Sequence, residues 1–197
     1  MRGIWKKMFC LMLVTLVGST GCAKGLPADY YVLHATTSES LVGAERGVAV
    51  GVGPVELPAH LNRSQIVTRA TDYQLDLSES HQWAEPLKDG VSRVIAVNLS
   101  NMLESNRVFV IPRRQKVTLD FQVSIDIARF DGELGEAAIL GARWTLYGSD
   151  TREPLLSKVT IVNKRTEGGS YNALVAASSQ ALEALSLEIA EAINARR

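Results

Sequence analysis

The clearest pattern in the chain is a strict alternation of apolar and polar residues between positions 117 and 127. A period of two residues is typical of a strand with one buried face. Turn residues at 131–135 lead to a second alternating run from Ala138 to Leu146, and positions 148–150 lead to a third apolar run from Leu155 to Val162. Three such runs joined by short turns predict an antiparallel meander.

Shorter strands are predicted upstream of this meander. A run of β-prone residues lies at 30–33, and alternating valines occupy 48–57. Gly53-Pro54 interrupts the second run and indicates a bulge or bend, because proline cannot donate a hydrogen bond to a neighbouring strand. Two more short strands are predicted at 66–68 and 73–77, on either side of a turn.

Two segments change to a period of three to four residues, which is typical of amphipathic helices. The first lies between Trp83 and Leu103. Because Pro86 is tolerated only in a first turn, we expect this helix to begin near Trp83. The second follows Ser170, a residue suited to capping a helix N-terminus. The pattern therefore predicts an α+β fold, a mainly antiparallel sheet with two long amphipathic helices packed on it, in a single domain.

The N-terminal segment has the order of a secretory signal peptide: basic residues, an apolar run at 9–17 and small residues up to Gly21. The apolar run is shorter than the roughly 20 residues that a helix needs to span a bilayer. We therefore divide the chain into a signal peptide at 1–21, a tether at 22–28 and one domain at 29–197.

Cys22 distinguishes a lipoprotein from an ordinary secreted protein, since it follows small residues at the position where lipoproteins are cleaved and acylated. Ser19 departs from this pattern, which prefers Leu there, and the alternative is cleavage nearby that leaves Cys22 a free thiol. A cysteine carrying several acyl chains would anchor the protein permanently. Ala23 and Lys24 replace the Asp that marks inner-membrane retention, so we expect the outer membrane, with the domain facing the periplasm.

Composition limits the classes of function. Removal of residues 1–21 leaves 18 basic and 21 acidic residues, a net charge of −3. This balance argues against a nucleic-acid-binding protein. Cys10 leaves with the signal, so the mature domain has no cysteine pair, and His34, His60 and His81 are too scattered for a metal site of ordinary spacing. No nucleophile elbow, zinc-protease motif or phosphate loop is present, and we predict no enzyme activity, no cofactor and no metal.

Several motifs occur in a specific order along the chain: Tyr30-Tyr31-Val32-Leu33, Gly53-Pro54-Val55-Glu56-Leu57-Pro58, Leu61-Asn62-Arg63-Ser64-Gln65-Ile66-Val67-Thr68-Arg69 and Trp83-Ala84-Glu85-Pro86-Leu87. Together with the cysteine they follow, these motifs resemble the PqiC family of ABC-type transport auxiliary lipoproteins, and the resemblance extends over nearly the whole mature chain. It implies a non-catalytic outer-membrane component of an intermembrane lipid transport system built around MCE (mammalian-cell-entry) proteins. In such systems a PqiB-like tunnel protein, which works with an inner-membrane permease, reaches the lipoprotein, and the lipoprotein can form a homo-oligomeric ring.

Two other functions remain open from the sequence. One is a standalone periplasmic lipoprotein that binds a lipid or another ligand, and the other is an envelope assembly lipoprotein. A lipid groove could be lined by Trp83, Trp144 and Tyr171, but their positions on apolar stripes favour core packing.

The segment from Pro58 to Arg69 is the predicted partner or oligomer interface, because it combines a rigid proline, two arginines and a β-capable edge. Its members are Pro58, Leu61, Arg63, Ile66, Val67 and Arg69. The alternative is that both arginines form ion pairs within the domain and that the motif is structural.

Overall fold

The computed structural model describes residues 27–36, 47–112, 117–149 and 153–197. The elements of this part of the chain are β1 (Asp29–Tyr31), β2 (Val50–Glu56), β3 (Gln65–Thr71), β4 (Gln74–Trp83), α1 (Leu87–Met102), β5 (Val108–Val110), β6 (Phe121–Glu133), β7 (Ala137–Tyr147), β8 (Pro154–Arg165) and α2 (Tyr171–Asn194).

A five-stranded sheet with the order β5-β2-β6-β7-β8 forms the larger layer. The predicted meander is confirmed, since β6, β7 and β8 pair antiparallel. β2 pairs parallel with both of its neighbours, and its register on β6 shifts between Val52 and Val55, at the predicted interruption. The valines of β2 are buried on the inward face, as the alternation predicts.

A smaller sheet has the order β1-β4-β3. β3 and β4 form an antiparallel hairpin whose turn is at Asp72 and Tyr73. β1 runs parallel with β4, so that Asp29 pairs with His81 and Tyr31 with Trp83. The predicted β-prone run at 30–33 therefore contributes a strand, which begins one residue earlier.

The prediction of a mainly antiparallel sheet needs correction. The structure has two sheets, and three of the six strand pairings are parallel. Alternation along a strand reports which face is buried, but it carries no information about the direction of the neighbours. The chain passes through α1 between β2 and its neighbours β5 and β6, and a helical crossover of this kind is what parallel pairing requires.

The predicted start of the first helix is also wrong. Trp83 is the last residue of β4, and α1 begins at Leu87, with Pro86 as its N-cap. The backbone explains the difference, because the Trp83 N–H donates to the Ser64 carbonyl and the Ala84 N–H donates to the Tyr31 carbonyl. These two bonds hold the segment in the small sheet, and the helix begins only beyond them.

The boundaries of β6 differ from the predicted ones at both ends. The strand begins at Phe121 rather than at 117, because its pairing with β2 begins with Phe121 opposite Val50. It continues to Glu133, which pairs with Ala137, and only Leu134, Gly135 and Glu136 remain for the turn predicted at 131–135. Gly135 has a φ of 85°, a backbone conformation that glycine adopts without strain.

Both helices pack on the inward face of the larger sheet, α1 against β2 and β5 and α2 against β6, β7 and β8, and they also contact each other. Ser170 caps α2 as predicted, accepting a hydrogen bond from the Ala173 N–H. By length and composition α2 could cross a membrane, but 61% of its most apolar window is buried inside the domain. It is therefore a core helix.

One continuous apolar core joins the two sheets and both helices. Its largest fully buried side chains include Trp144 of β7, Leu140 of β7, Leu61 between β2 and β3, and Ile95 of α1. The smaller sheet contributes Ile66, Val67 and Trp83 to the same core. The helices cover only the inward face of the larger sheet, and this arrangement determines where a binding surface is found.

Candidate functional site

An apolar groove lies on the outward face of the five-stranded sheet, opposite the helices. It has a volume of about 440 Å³ and is formed by β6, β7 and β8. Apolar side chains from two strands make its walls: Ile139 of β7, and Val159 and Ile161 of β8. We call this feature the outward groove.

Local sequence explains the shape of the outward groove. Gly141 of β7 pairs with Ile161 and contributes no side chain, which leaves a depression in the middle of the sheet. On the other side of Gly141, β6 carries a bulge between Ile127 and Arg129 that changes the register of the two strands. Bulges bend a strand and redirect its side chains, so Ala128 and Arg129 become part of the lining.

The apolar walls of the groove are unusually exposed for their residue types. Val159 is 56% exposed and Ile161 is 75% exposed, and both belong to β8, an edge strand of the larger sheet. Single exposed apolar residues are common on protein surfaces, whereas a contiguous group beside a depression indicates a binding surface. The groove is therefore the strongest candidate for contact with a partner.

Charged groups lie among the apolar residues of the groove. Arg143 of β7 lies opposite Asp126 of β6 in the strand register, and both line the groove. Arg129 also lines it, and its Nε donates to Asp131 Oδ1 at 2.8 Å. Two guanidinium groups beside an apolar depression can bind an apolar segment that carries carboxylate or other anionic groups.

Asp131 is the most constrained charge near the groove, since its side chain is fully buried. It accepts hydrogen bonds from Arg129 of its own strand and from Nε and Nη2 of Arg69 in β3. Burial acts to raise the pKa of the Asp131 carboxyl, but the hydrogen bonds and positive charges of both arginines outweigh it and hold that pKa below its ordinary value. The carboxylate therefore stays ionised and joins the two sheets.

The structure places the predicted interface segment partly in the core. The apolar members Leu61, Ile66 and Val67 are buried within the chain itself. Arg69 makes an intradomain ion pair with Asp131, which is the structural alternative for that arginine. Pro58 and Arg63 retain partial exposure. The Arg63 Nε is buried, and among the described residues it has no hydrogen-bond partner.

Two tryptophans that could have lined a lipid groove are packed in the core, as their positions on apolar stripes favoured. Trp83 and Trp144 are 8% and 1% exposed, and the Trp144 indole N–H donates to Thr160 Oγ1 at 3.0 Å. Thr160 in turn donates to Glu188 of α2, whose carboxylate also pairs with Lys158. Burial acts to raise the pKa of Glu188, but the bonds from Lys158 and Thr160 outweigh it and lower that pKa.

Tyr171 belongs to a cluster of rings that sequence reasoning missed. The His81 ring stacks on Tyr171 with centroids 4.0 Å apart, and His81 Nδ1 is 2.9 Å from the hydroxyl of Tyr31. Burial, the nearby charge of Asp29 and Tyr171 together raise the pKa of the Tyr31 hydroxyl. The cluster fastens β1 and β4 to the start of α2, and no local sequence signal connects the three segments.

The outward groove was also missed, although β8 carries a signal for it. In that strand both alternating sets are apolar: Leu156 and Val162 share the inward face with Thr160, while Val159 and Ile161 face outward. A strand with apolar residues on both faces indicates that both faces are to be covered. The predicted attachment residue Cys22 lies outside the described residues. His34, His60 and His81 form no cluster with acidic residues that could hold a metal ion within the described part of the chain.

Comparison with known proteins identifies a family that matches most of the chain. The family model described as "ABC-type transport auxiliary lipoprotein component" matches residues 31–190, from β1 into α2. The chain is 22% identical over 138 residues to the intermembrane transport lipoprotein PqiC of Escherichia coli K12, which covers 69% of this chain and 72% of that protein. The PqiC of Shigella flexneri matches with the same values.

Solved structures share the fold. A crystal structure of an uncharacterised protein superposes with a TM-score of 0.69 at 18% identity, covering 85% of this chain and 99% of the other. Protein XCC0632 of Xanthomonas campestris superposes with a TM-score of 0.64 at 20% identity, covering 83% and 93% of the two chains. At these identities the superpositions establish the architecture alone.

Proposed function

The chain belongs to the family of ABC-type transport auxiliary lipoprotein components, and from this premise we propose that it is a non-catalytic, lipid-anchored outer-membrane component of an intermembrane lipid transport system. In this proposal the domain faces the periplasm and binds the end of an MCE-type tunnel protein. The observation that carries the proposal is the family match over residues 31–190, which spans both sheets and most of α2.

Cys22 is the proposed site of lipid attachment. It precedes Asp29, the first residue of β1, by seven positions, so the anchor would lie within about 25 Å of the folded domain at ~3.6 Å per residue. A cysteine with several acyl chains holds a protein on its membrane without a spanning helix. The lipidated cysteine and the short tether would keep the domain at the membrane, since among the described residues the helix long and apolar enough to span it, α2, is mostly buried in the core.

The outward groove is the proposed docking surface for the tunnel protein. A non-catalytic adaptor needs a stable fold and one face that remains uncovered until its partner arrives. Val159, Ile161 and Ile139 supply the apolar contacts, and Arg129 and Arg143 supply donors for carboxylate groups of the partner. The inward face is excluded from this role because the two helices occupy it.

Pro58 and Arg63 retain a proposed role in contacts between copies of the chain. They lie before β3, at the end of the hairpin opposite to the Asp72–Tyr73 turn. Arg63 is partly exposed, and the exposed part of its guanidinium would donate a hydrogen bond to an acceptor on a neighbouring copy. Cross-linking through a cysteine introduced at Pro58 tests this contact, since neighbouring copies that meet near Pro58 yield a covalent dimer and a monomer yields none.

The experiment that tests the function is affinity purification of the tagged, lipidated protein from native membranes in mild detergent, followed by mass spectrometry. Cys22→Ala controls for membrane attachment. Ile161→Glu places a charge in the outward groove, and Leu187→Glu is the matched control, because Leu187 is an exposed apolar residue of α2, on the other side of the sheet.

We expect an MCE protein to co-purify with the unmodified chain and with Leu187→Glu, and to be lost with Ile161→Glu. Recovery of an MCE protein with Ile161→Glu as well as with Leu187→Glu and the unmodified chain would contradict docking at the groove but support the transport function. Recovery of lipid alone, or of an outer-membrane β-barrel alone, would contradict the transport function and favour a ligand-binding or assembly lipoprotein.

A further inference from the structure

The chain enters the domain beside the β3–β4 hairpin and from the direction of its turn. β1 is parallel with β4, and its first residue Asp29 pairs with His81. Traced backwards to Asp29, the line of β1 therefore points toward Gln74, the first residue of β4. Gln74 precedes His81 by seven positions, so the turn extends about 23 Å beyond Asp29 at ~3.3 Å per strand residue.

Near Asp29 and His81, the small sheet contacts the start of α2, close to the ends of β6 and β8. His81 stacks on Tyr171, the first residue of α2, and lies 3.7 Å from the carboxylate of Asp29. β6 and β8 both end here, because each is antiparallel to β7. β1 is thus fixed to the body of the domain at this end.

One aromatic residue stands at the tip of the hairpin. Tyr73 is 99% exposed, and Leu77 of β4 behind it is 41% exposed. The turn that carries Tyr73 is fixed, because Arg69 Nη1 donates to the Asp72 carbonyl at 3.1 Å and the Tyr73 N–H donates to Thr71 Oγ1 at 3.3 Å. Arg69 also pairs with Asp131 of β6, so the direction of the tip is set relative to the whole domain.

We propose that the hairpin tip is a second membrane contact, in which Tyr73 enters the headgroup region of the bilayer that holds the lipid anchor. This inference rests on the proposed lipidation of Cys22. A fully extended tether could reach about 25 Å from Asp29 at ~3.6 Å per residue. The tip projects about 23 Å from the same residue at ~3.3 Å per strand residue, so the tip and the lipid anchor can meet the same membrane surface.

The chemistry of the tip fits the interface of a bilayer. Tyrosine combines an apolar ring with a hydroxyl that stays hydrated, and it concentrates at headgroup level in membrane proteins. Asp72 and Asp76 flank the tip, so its contact does not depend on anionic lipid. One tyrosine binds weakly by itself, but a tether this short gives the tip an effective concentration on the order of millimolar at the bilayer.

The contact would orient the domain. With the tip on the membrane, the hairpin stands upright, and Pro58 and Arg63 at its other end point away from the bilayer. An approaching partner from the periplasm then meets a fixed face rather than a freely rotating one. A fixed orientation lowers the entropy that must be lost on docking.

Fluorescence quenching in vesicles tests the proposal. Tyr73→Trp in the full-length, lipidated protein is reconstituted into vesicles of phosphatidylcholine, with and without bromine on the acyl chains near the headgroups. The native Trp83 and Trp144 are buried and give the background in the unmodified protein. Ser149→Trp is the matched control, because Ser149 is exposed just after β7, at the opposite end of the sheet.

We expect the emission added by Tyr73→Trp to be largely lost in brominated vesicles and the emission added by Ser149→Trp to be retained. If each variant has the same emission in brominated and unbrominated vesicles while the protein floats with them, the hairpin contact is overturned. The proposed lipid anchor is not affected by that result. Failure of the protein to float would instead overturn the proposed lipidation, and the hairpin proposal with it.

Discussion

The Arg69 guanidinium lies against the buried carboxylate of Asp131, with Nη2 and Oδ2 2.8 Å apart, and joins the hairpin of the small sheet to the central strand of the large one. Arg69 binds both carboxylate oxygens, through Nε and Nη2, and uses Nη1 for the Asp72 carbonyl. A planar guanidinium can bind both carboxylate oxygens and the carbonyl at the same time, and a lysine ammonium cannot.

Removal of Asp131 should therefore destabilise the domain. Breaking a fully buried pair costs roughly 3–5 kcal/mol, and because Arg69 and Arg129 keep some contact with water we expect a smaller loss of about 2–3 kcal/mol for Asp131→Ala. The free energy of unfolding in urea measures it. Asp126→Ala is the control, since this exposed carboxylate on the same strand should change the stability by less than about 0.5 kcal/mol. Equal effects of the two substitutions would contradict the structural role of Asp131.

Arg69 can be tested separately from Asp131. We expect Arg69→Lys to lose most of the stability that Arg69→Ala loses, because the ammonium cannot bind both carboxylate oxygens and the Asp72 carbonyl together. Arg129→Ala should cost less than Arg69→Ala, since Arg129 makes one hydrogen bond to Asp131 through its Nε. Urea unfolding of the three variants gives the order, and a larger loss for Arg129→Ala would show that the small sheet does not depend on this pair.

The same carboxylate should make stability depend on pH. The pKa of Asp131 is lower in the folded protein than the ordinary value of ~3.9, so its stabilisation is fully present above that value and is lost as the pH falls through the folded pKa. The unfolding midpoint of the natural chain should therefore exceed that of Asp131→Asn by a constant margin at neutral pH. That margin should shrink below about pH 4. A margin that widens on acidification would contradict a lowered pKa.

Thr160 links the core to α2, and its hydroxyl should matter more than that of an exposed threonine. Thr160→Val leaves the buried Trp144 N–H and one hydrogen bond of Glu188 without their partner, which costs about 1–3 kcal/mol. Urea unfolding followed by tryptophan emission measures the loss. Thr145→Val is the control, because the Thr145 hydroxyl pairs with Ser157 near the surface. A stability equal to that of the control would show that water replaces the hydroxyl.

Local patterns predicted most of the elements. The meander and both helices were found because alternation and a period of three to four residues depend only on which side faces the core. The N-cap at Ser170 was found because a capping side chain bonds within three residues. The boundary at Trp83 was missed because its backbone pairs with Ser64, and Ala84 pairs with Tyr31, two segments distant in the sequence.

The relationships between elements could not be read from the sequence. Arg69 and Asp131 are 62 residues apart, and no pattern in either strand indicates that they meet. From the sequence, Arg69 could belong to an interface or form an ion pair within the domain. The packing of the two sheets, which the sequence does not reveal, decides between these alternatives. The parallel pairing of β2 was likewise hidden, because its valines alternate as they would in an antiparallel strand.

Substitutions at two strand glycines test two features separately: the packing of the β6–β7 hairpin and the outward groove. A Cβ at Gly132 would lie 2.3 Å from the Ala137 carbonyl oxygen and 2.7 Å from Leu174, and the hairpin backbone cannot yield. Gly132→Ala should therefore cost about 1–3 kcal/mol, as overpacking does. At Gly141 the nearest atom is the Arg129 Cβ at 3.4 Å, an ordinary contact, so Gly141→Ala should fold normally and gain up to about 1 kcal/mol from reduced backbone entropy.

A larger side chain at Gly141 then tests the groove without disturbing the core. Gly141→Val fills the depression between Ile139 and Ile161. If the groove is the docking surface, this variant keeps the thermal unfolding temperature of Gly141→Ala but no longer recovers the MCE protein from membranes. Full recovery by a stable Gly141→Val protein would move the docking surface elsewhere. Loss of recovery already with Gly141→Ala would mean that the partner approaches the strand backbone itself, where even one methyl group prevents contact.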